Sequence, residues 1–264
     1  MTTLLATEQD AGVLRLTLND PSTRNSLSDT MMRALQEALD TAADDNAVRV
    51  IVLAALGPAF SAGHNLKDIT ARRSDADKGA SYFSALFEQC TRLMTSIVRH
   101  PRPVIAEVQG LAYAAGCQLV ASCDLAFAAD TATFCTPGVN IGLFCSTPMV
   151  ALSRNVVPKH AMEMLLTGEA ISAAEAQRIG LVNRAVPANA LGDTVMDVAR
   201  QIASRSMATV KTGKRAFYAQ LDLPLDEAYA MTSRVMAENL LQRDAEEGIA
   251  AFIGKRQPVW SGSE

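Results

Sequence analysis

Two stretches of small residues can direct backbone hydrogen-bond donors at a single oxygen atom. They are Ala59-Phe60-Ser61-Ala62-Gly63-His64-Asn65-Leu66 and Val108-Gln109-Gly110-Leu111-Ala112-Tyr113-Ala114-Ala115-Gly116-Cys117-Gln118-Leu119. In each, the chain leaves a strand and enters a helix, where the first N–H groups have no partner inside the helix and attract anions. Two such donors that converge on one oxygen form an oxyanion hole, typically worth a few kcal/mol per donor. The pair predicts a site that polarises an acyl carbonyl.

The elements around these stretches predict an α/β fold. The alternating run 13–18 is typical of a half-buried strand, and the continuous apolar run 48–54 of a strand buried on both faces. A long helix is expected over 80–99, and a further strand over 104–108 leads into the second stretch. Strands alternating with helices favour a mostly parallel sheet whose loops at the carboxyl ends of the strands bind ligands. From about residue 197 onward only helical segments are expected.

Composition excludes several classes of protein. The chain has 264 residues, of which 49% are hydrophobic, enough for one large domain or for a core with an appendage. A net charge of -4 without a long basic run argues against nucleic-acid and membrane partners. The five cysteines are odd in number and never form C-x-x-C, which favours reduced thiols and no metal site. Because residues 1–8 carry no targeting pattern and no apolar run approaches the ~20 residues of a membrane span, we expect a cytoplasmic protein.

The motifs in these stretches resemble those of the crotonase, or enoyl-CoA hydratase/isomerase, superfamily. The resemblance rests on F-S-A-G-x-x-L at 60–66, G-x-A-x-x-x-G-C-x-L at 110–119, Cys-Asp-Leu-Ala at 123–126 and the contiguous segment 161–183. It extends from the first strand to nearly the last helix. It implies a crotonase-like (ClpP/crotonase) fold with repeated β-β-α units, an acyl-CoA-binding core over 1–200 and a C-terminal helical trimerisation region over 201–264. It also implies an acyl-CoA substrate, no separate cofactor, and trimers that pair into hexamers.

The same resemblance assigns the two donors to the backbone N–H groups of His64 and Ala115. Small neighbours agree with this, since they let a thioester oxygen come within ~3 Å of the main chain. For the CoA moiety it points to the turn at 24–27 and to the start of the helix after 64, where Arg24 and Lys67 are cationic and suit phosphate oxygens. Asn65 stands where the family usually has Asp. The implied substrate-binding residues are Arg24, Ala62, His64, Asn65, Leu66, Lys67, Ala115, Gln118 and Gly138.

The side chain of His64 allows two interpretations. An imidazole titrates near neutrality and can move a proton. We expect instead that the ring faces the cleft wall or solvent and that only the His64 amide acts on the substrate. His100 and His160 are expected at helix ends or on the surface.

The acids of a hydratase are absent. A crotonase hydratase activates water with two glutamates, and their positions here correspond to Gln118 and Gly138. Neither residue can accept a proton, and general acid–base catalysis contributes typically ~10²–10⁴ in rate. The acidic residues nearest in sequence, Asp68, Glu107 and Asp124, are expected to have structural or capping roles.

The segment 136–148 lines the place where the second glutamate would stand and offers Asn140, Cys145 and Ser146. No His or Lys adjacent in sequence activates the thiol, which leaves a partner in space as the alternative. The stretch resembles a subgroup of the family, known also as mitochondrial hydratase-domain proteins, that lacks both glutamates.

Three functions therefore stay open at this point. The first is an enzyme that transforms acyl-CoA thioesters by enolate-type chemistry, named by its family an enoyl-CoA hydratase. The second is a non-catalytic acyl-CoA-binding protein that kept the hole and the oligomer. The third is an isomerase or thioesterase of the same fold that uses another polar residue.

Overall fold

Residues 3–261, which the computed structural model describes, form ten strands and eleven α-helices. The strands are β1 (Leu5–Asp10), β2 (Val13–Leu18), β3 (Val50–Ala55), β4 (Ala59–Ser61), β5 (Val104–Val108), β6 (Leu111–Tyr113), β7 (Leu125–Ala129), β8 (Thr133–Cys135), β9 (Ile171–Ser172) and β10 (Arg184–Val186). The helices are α1 (Asp29–Asp44), α2 (Leu66–Ala71), α3 (Ala80–Arg99), α4 (Ala115–Ser122), α5 (Ser146–Leu152), α6 (Pro158–Thr167), α7 (Ala173–Arg178), α8 (Leu191–Ala203), α9 (Met207–Gln220), α10 (Leu225–Leu240) and α11 (Arg243–Ile253).

The predicted mostly parallel α/β architecture is confirmed. Six strands form the larger sheet in the order β1-β2-β3-β5-β7-β10, in which only the β1–β2 pair is antiparallel. The continuous apolar run of β3 is buried along its length up to Ala54, as expected for a strand covered on both faces. Helix α8 packs on β2, β3, β5 and β7, while α1 packs on β1, β2 and α3. The core therefore lies on both sides of this sheet.

A second sheet of four short strands has the order β4-β6-β8-β9. Each of β3, β5 and β7 is followed by one strand of this sheet and then by a helix, so the repeated β-β-α unit is confirmed. Strands β4 and β6 lie inside the two stretches that the pattern analysis described only as connections. Three residues are too few to show a period of two, which is why alternation did not reveal them.

The C-terminal region begins after α8 and is helical, as predicted. The predicted division between a core over 1–200 and a helical region over 201–264 falls inside α8 and stays a prediction. Residues 1–2 and 262–264, at the outer ends of these two predicted segments, lie outside the described residues. Helix α9 contacts α3, α10 and α11. None of its side chains is fully buried, and in α10 only Ala228 is.

A buried ion pair fastens α9 to the core. Lys214 Nζ donates to Asp124 Oδ2 at 2.7 Å and to the carbonyls of Ile97 and Arg102 at 3.1 Å each. Tyr218 donates to the other oxygen of Asp124 at 2.9 Å, and the same carboxylate accepts from the Val104 N–H at 2.7 Å. All three Nζ donors and both carboxylate oxygens have partners, which is the condition under which a charge is buried in a protein.

All five cysteines are buried and unpaired, in agreement with the expected reduced thiols. Among the described residues, no helix is both long and apolar enough to cross a membrane.

Candidate active site

The two stretches predicted to carry donors lie against each other. Gly63 has φ +88°, and a Cβ added to it would lie 2.9 Å from Ala114 Cβ and 3.1 Å from the Ala115 nitrogen. Gly116, in the first turn of α4, approaches the carbonyl of Ser61 so closely that a Cβ there would overlap it. Glycine is therefore required on each side of the contact, and the structure brings the His64 and Ala115 segments together.

The N–H groups of His64 and Ala115 have no hydrogen-bond acceptor among residues 3–261, whereas those of their neighbours do. Ala62 N–H donates to Arg24 O at 3.0 Å, and Ala114 N–H donates to Cys135 O at 2.9 Å. Ala114 has φ +50°, a conformation that costs a non-glycine residue about 1–3 kcal/mol and that clusters at functional sites. The free N–H of Ala115 at the start of α4 is the type of donor that binds anions.

The ring of His64 is held inside the protein and does not extend into solvent. Its Nδ1 lies 3.1 Å from the carbonyl oxygen of Leu27, and its ring meets the ring of Phe87 edge-on with centroids 5.6 Å apart. Burial lowers the pKa of His64, although the Leu27 carbonyl and the charge of Asp29 act in the opposite direction. The Nε2 atom is buried and has no hydrogen-bond partner.

Gln118 is buried on α4, one turn after Ala115. Its Oε1 lies 3.9 Å from Cys90 Sγ on α3. Burial raises the pKa of Cys90 to about 12, so this thiol stays protonated and is a donor. The Nε2 of Gln118 has no acceptor among the described residues, so it is a hydrogen-bond donor that the fold leaves unused.

Gly138 lies in a 3-10 turn, Pro137–Ile141, and is also buried. A Cβ at this position would lie 2.8 Å from Leu143 O and 2.9 Å from Cys145 Sγ. The space that a glutamate would need is therefore filled by residues 143–145.

Several of the residues predicted to bind the CoA moiety are exposed at the rim of the candidate site. Arg24 is exposed, has φ +57°, and its carbonyl holds the Ala62 N–H. Asn65 caps α2 by accepting from the Lys67 N–H at 3.0 Å. Lys67 and Leu66 are exposed at the start of that helix, and neither Arg24 nor Lys67 forms an ion pair within the described residues.

The other acids near the motifs have structural roles, as expected. Glu107 forms a two-pronged pair with Arg15 at 2.5 and 2.8 Å, and Asp124 belongs to the Lys214 ion pair. Asp68 lies in the first turn of α2, where a negative charge is stabilised by the helix dipole.

The side chains of segment 136–148 show no activated nucleophile. Burial raises the pKa of the Cys145 thiol, which disfavours the thiolate. Ser146 is exposed at the start of α5, and Asn140 donates to Gly168 O at 3.2 Å. Of the other histidines, His160 is partly exposed on α6. His100 follows the end of α3, as predicted, but it is only 5% exposed and so does not lie on the surface. Its Nδ1 lies 3.2 Å from the carbonyl of Arg102 and its Nε2 lies 2.9 Å from the carbonyl of Leu39.

Comparison with known protein families shows to which family the chain belongs. The family model described as enoyl-CoA hydratase/isomerase matches residues 8–263. The chain belongs to the enoyl-CoA hydratase/isomerase family.

Relatives and solved structures agree with this membership. The chain is 50% identical over 250 residues to the human protein named "Enoyl-CoA hydratase domain-containing protein 3, mitochondrial", covering 95% of this chain and 81% of the relative. A crystal structure of enoyl-CoA hydratase from Mycobacterium smegmatis superposes with a TM-score of 0.93 at 48% identity, covering 98% of this chain and 99% of that chain. The crystal structure of human enoyl Coenzyme A hydratase domain-containing protein 3 also gives 0.93 at 48% identity, covering 98% and 100%. The crotonase-like fold is thereby confirmed.

The expectation of a cytoplasmic protein is wrong. The human relative and those of Xenopus laevis and Rattus norvegicus are all named as mitochondrial, which points to mitochondria and not to the cytoplasm. The expectation relied partly on reduced thiols. Free cysteines report that a compartment is reducing, and they do not distinguish one reducing compartment from another.

Sequence reasoning missed three residues that shape this site. Asn25 is buried and donates to the carbonyls of Leu56 and Ala59 at 2.8 Å each, which ties the Arg24 turn to the first donor stretch. Phe87 and Cys90 on α3 contact His64 and Gln118. Asn25 left one signal, an Asn in a turn where positive φ is tolerated; the α3 residues resembled ordinary members of an apolar stripe.

Proposed function

We propose that this protein binds acyl-CoA thioesters and polarises the thioester carbonyl in an oxyanion hole formed by the backbone N–H groups of His64 and Ala115. One observation carries the proposal: the fold brings two donors without partners together across a contact that only glycine at 63 and 116 permits. Aimed at an oxygen that gains charge, each such donor typically stabilises a transition state by about 3 kcal/mol. The chemistry this favours is formation of an enolate at the α-carbon of the acyl group.

Exposed cations at the rim support CoA as the carrier of the acyl group. Arg24 and Lys67 flank the hole through the Ala62 backbone and the start of α2, and both are available to phosphate oxygens. Leu66, 51% exposed beside Lys67, offers apolar surface to the pantetheine arm.

Hydration with two carboxylates is not the reaction that this site favours. Gln118 has only an amide, and Gly138 has no side chain and no room for one. The nearby acids Glu107 and Asp124 are already paired with Arg15 and Lys214. We therefore propose an enzyme of the family that acts on acyl-CoA by another proton-transfer arrangement. The same absence favours, as the second candidate, a non-catalytic acyl-CoA-binding protein.

We further propose that the protein assembles with copies of itself through its C-terminal helices. Large apolar side chains on α10, on α11 and in the turn between them lie in solvent in the single chain, more than one helical layer on a core would leave. The most exposed are Leu225 (71%), Tyr229 (68%), Leu241 (89%), Phe252 (85%) and Ile253 (75%).

Calorimetry with butyryl-CoA and turnover of crotonyl-CoA test these proposals. We expect binding of butyryl-CoA and feeble hydration. Ala115→Pro removes the second donor whatever the side chain does and should abolish any thioester chemistry. Ala115→Gly is the matched control, because it keeps the N–H. No binding at millimolar ligand, or unchanged activity in a folded Ala115→Pro variant, contradicts the proposed site.

A further inference from the structure

The hydrogen bond of His64 to the main chain fixes which ring nitrogen carries the proton. A carbonyl oxygen can only accept, so the contact of 3.1 Å between Nδ1 and Leu27 O requires the hydrogen on Nδ1. In the neutral ring, Nε2 is then an unprotonated acceptor.

This acceptor is an exception within the fold. Nε2 is one of four buried side-chain nitrogen or oxygen atoms without a hydrogen-bond partner among residues 3–261. Leaving such an atom unsatisfied costs about 1–3 kcal/mol, so a purely structural histidine would be expected to satisfy it. His100 is the comparison inside the same chain, since both of its nitrogens have partners.

The ring of His64 and Gln118, the residue that replaces the first missing acid, both contact helix α3. It contacts Phe87 on α3, and Gln118 contacts Cys90 three residues further along the same helix. Residues separated by three are neighbours on one face of a helix, about 5–6 Å apart. The imidazole and the Gln118 amide therefore contact neighbouring side chains of α3.

We propose that Nε2 of His64 is the proton acceptor of this site and takes the place of the missing glutamates; this rests on the proposed acyl-CoA function. The α-C–H bond of the acyl group breaks and its proton moves to Nε2. The electron pair becomes the enolate, whose oxygen is held by the His64 and Ala115 N–H groups. The imidazolium keeps Nδ1–H on Leu27 O and returns the proton to carbon, so that no further reactant is consumed. Gln118 Nε2 remains a donor and cannot compete for the proton.

The surroundings keep this imidazole neutral. Burial lowers the pKa of His64, so the ring is an available base at neutral pH. The charged group acting on it from α1 is Asp29, and α3 presents the uncharged ring of Phe87. On its own segment, the exposed Lys67 and Asp68 begin α2.

The acyl group must displace a side chain to reach Nε2, because that atom is buried. Phe87 meets the ring edge-on and is 41% exposed, so it can turn away without opening the core. We therefore expect Phe87→Ala to lower KM for the exchange reaction below and to leave its pH dependence unchanged.

Exchange of the α-protons of butyryl-CoA in D2O tests the proposal, because it requires a base, a stabilised enolate and replacement of the proton on Nε2 by solvent deuterium before it returns to carbon. The wild-type protein should incorporate deuterium at C2, with a rate that rises with pH through an inflection below the ordinary histidine value of about 6.5. His64→Gln keeps the backbone donor and should lose about 10²–10⁴ in rate together with the inflection. His160→Gln is the matched control for loss of an imidazole and should behave as wild type.

A second variant separates proton transfer from a structural role. His64→Ala empties the ring position, and added imidazole should restore exchange to it in proportion to the unprotonated imidazole present. Exchange by His64→Gln at the wild-type rate, or butyryl-CoA binding by wild type without any exchange, overturns the assignment of Nε2 while leaving acyl-CoA binding intact. Failure of wild type to bind butyryl-CoA in calorimetry overturns the proposed function itself and the assignment with it.

Discussion

Restoring the two hydratase acids should fail to produce a hydratase, and the packing at Gly138 is the reason. Any side chain there begins with a Cβ at 2.8 Å from Leu143 O and 2.9 Å from Cys145 Sγ, and real Cβ contacts essentially never fall below 3.0 Å. One of these neighbours is main chain and cannot rotate away. Overpacking of this kind costs about 1–3 kcal/mol, so Gly138→Ala alone should be destabilising.

The size of the effect can be measured by thermal and denaturant unfolding. For a chain of this length each kcal/mol shifts Tm by about 2–4 °C, so Gly138→Ala should lower Tm by about 2–12 °C. Cys145→Ala removes the sulfur contact and leaves the one with Leu143 O. The Gly138→Ala/Cys145→Ala double variant should therefore recover part of the loss, with a coupling of about 0.5–3 kcal/mol.

Gly213→Ala is the matched control, because a Cβ there meets nothing within 4 Å and the position is exposed on α9. It should stabilise the protein by about 0.5–1 kcal/mol. In the activity assay, Gln118→Glu/Gly138→Glu should show no gain in crotonyl-CoA hydration while remaining folded by circular dichroism. An unchanged Tm for Gly138→Ala, or efficient hydration by the double glutamate variant, would refute the conclusion that the space for a side chain at position 138 is filled.

Three other properties follow from contacts elsewhere in the chain. Lys214→Met should destabilise the protein by about 3–5 kcal/mol in urea unfolding, because it leaves Asp124 without its buried cation. The Lys214→Met/Asp124→Asn double variant should lose less stability than the sum of the two single losses. Strict additivity of the two losses would argue against the ion pair. Burial lowers the pKa of His100, so between its pKa in the folded protein and about 6.5 the unfolded state binds more protons than the folded state. The free energy of unfolding should therefore be highest above pH 6.5 and fall as the pH drops below that value. A His100→Gln variant should show a shallower fall. Light scattering at micromolar concentration should give a trimer or hexamer, with Leu241→Glu and Phe252→Glu shifting it toward smaller species; a monodisperse wild-type monomer near 28.1 kDa would rule the assembly out.

Local patterns were sufficient to predict much of the fold. The helix α3 and the strands β2, β3 and β5 follow from local patterns of apolar residues, which alternate in β2 and run without interruption in β3. The three-residue strands β4 and β6 did not, because their pairing depends on a sheet assembled from distant segments. The fold brings into contact the two stretches that the motifs and the family resemblance selected, and their role as the site stays a prediction.

The features that decide the chemistry could not be predicted in this way, because they arise between residues far apart in sequence. The residues near His64 in the sequence do not predict that its ring packs on Phe87 and forms a hydrogen bond with Leu27 O. The expectation was that the ring faces the cleft wall or solvent, and the structure holds it against Leu27 and Phe87 with Nε2 away from solvent. Likewise, the sequence around Gly138 shows that an acid is absent, and only the structure shows that Cys145 has filled its place.

The contact of Gly63 and Gly116 with the opposite loop has a consequence for changing what this protein does. The separation of the two donor N–H groups is set by how closely main chain can approach main chain, with hydrogen atoms as the only spacers. Side chains at 64 and 118 can therefore be replaced in a library without touching this contact, whereas any residue other than glycine at 63 or 116 would push the two loops apart. If the proposed oxyanion hole is correct, its two donors would keep their spacing while the groups that move protons are exchanged one at a time.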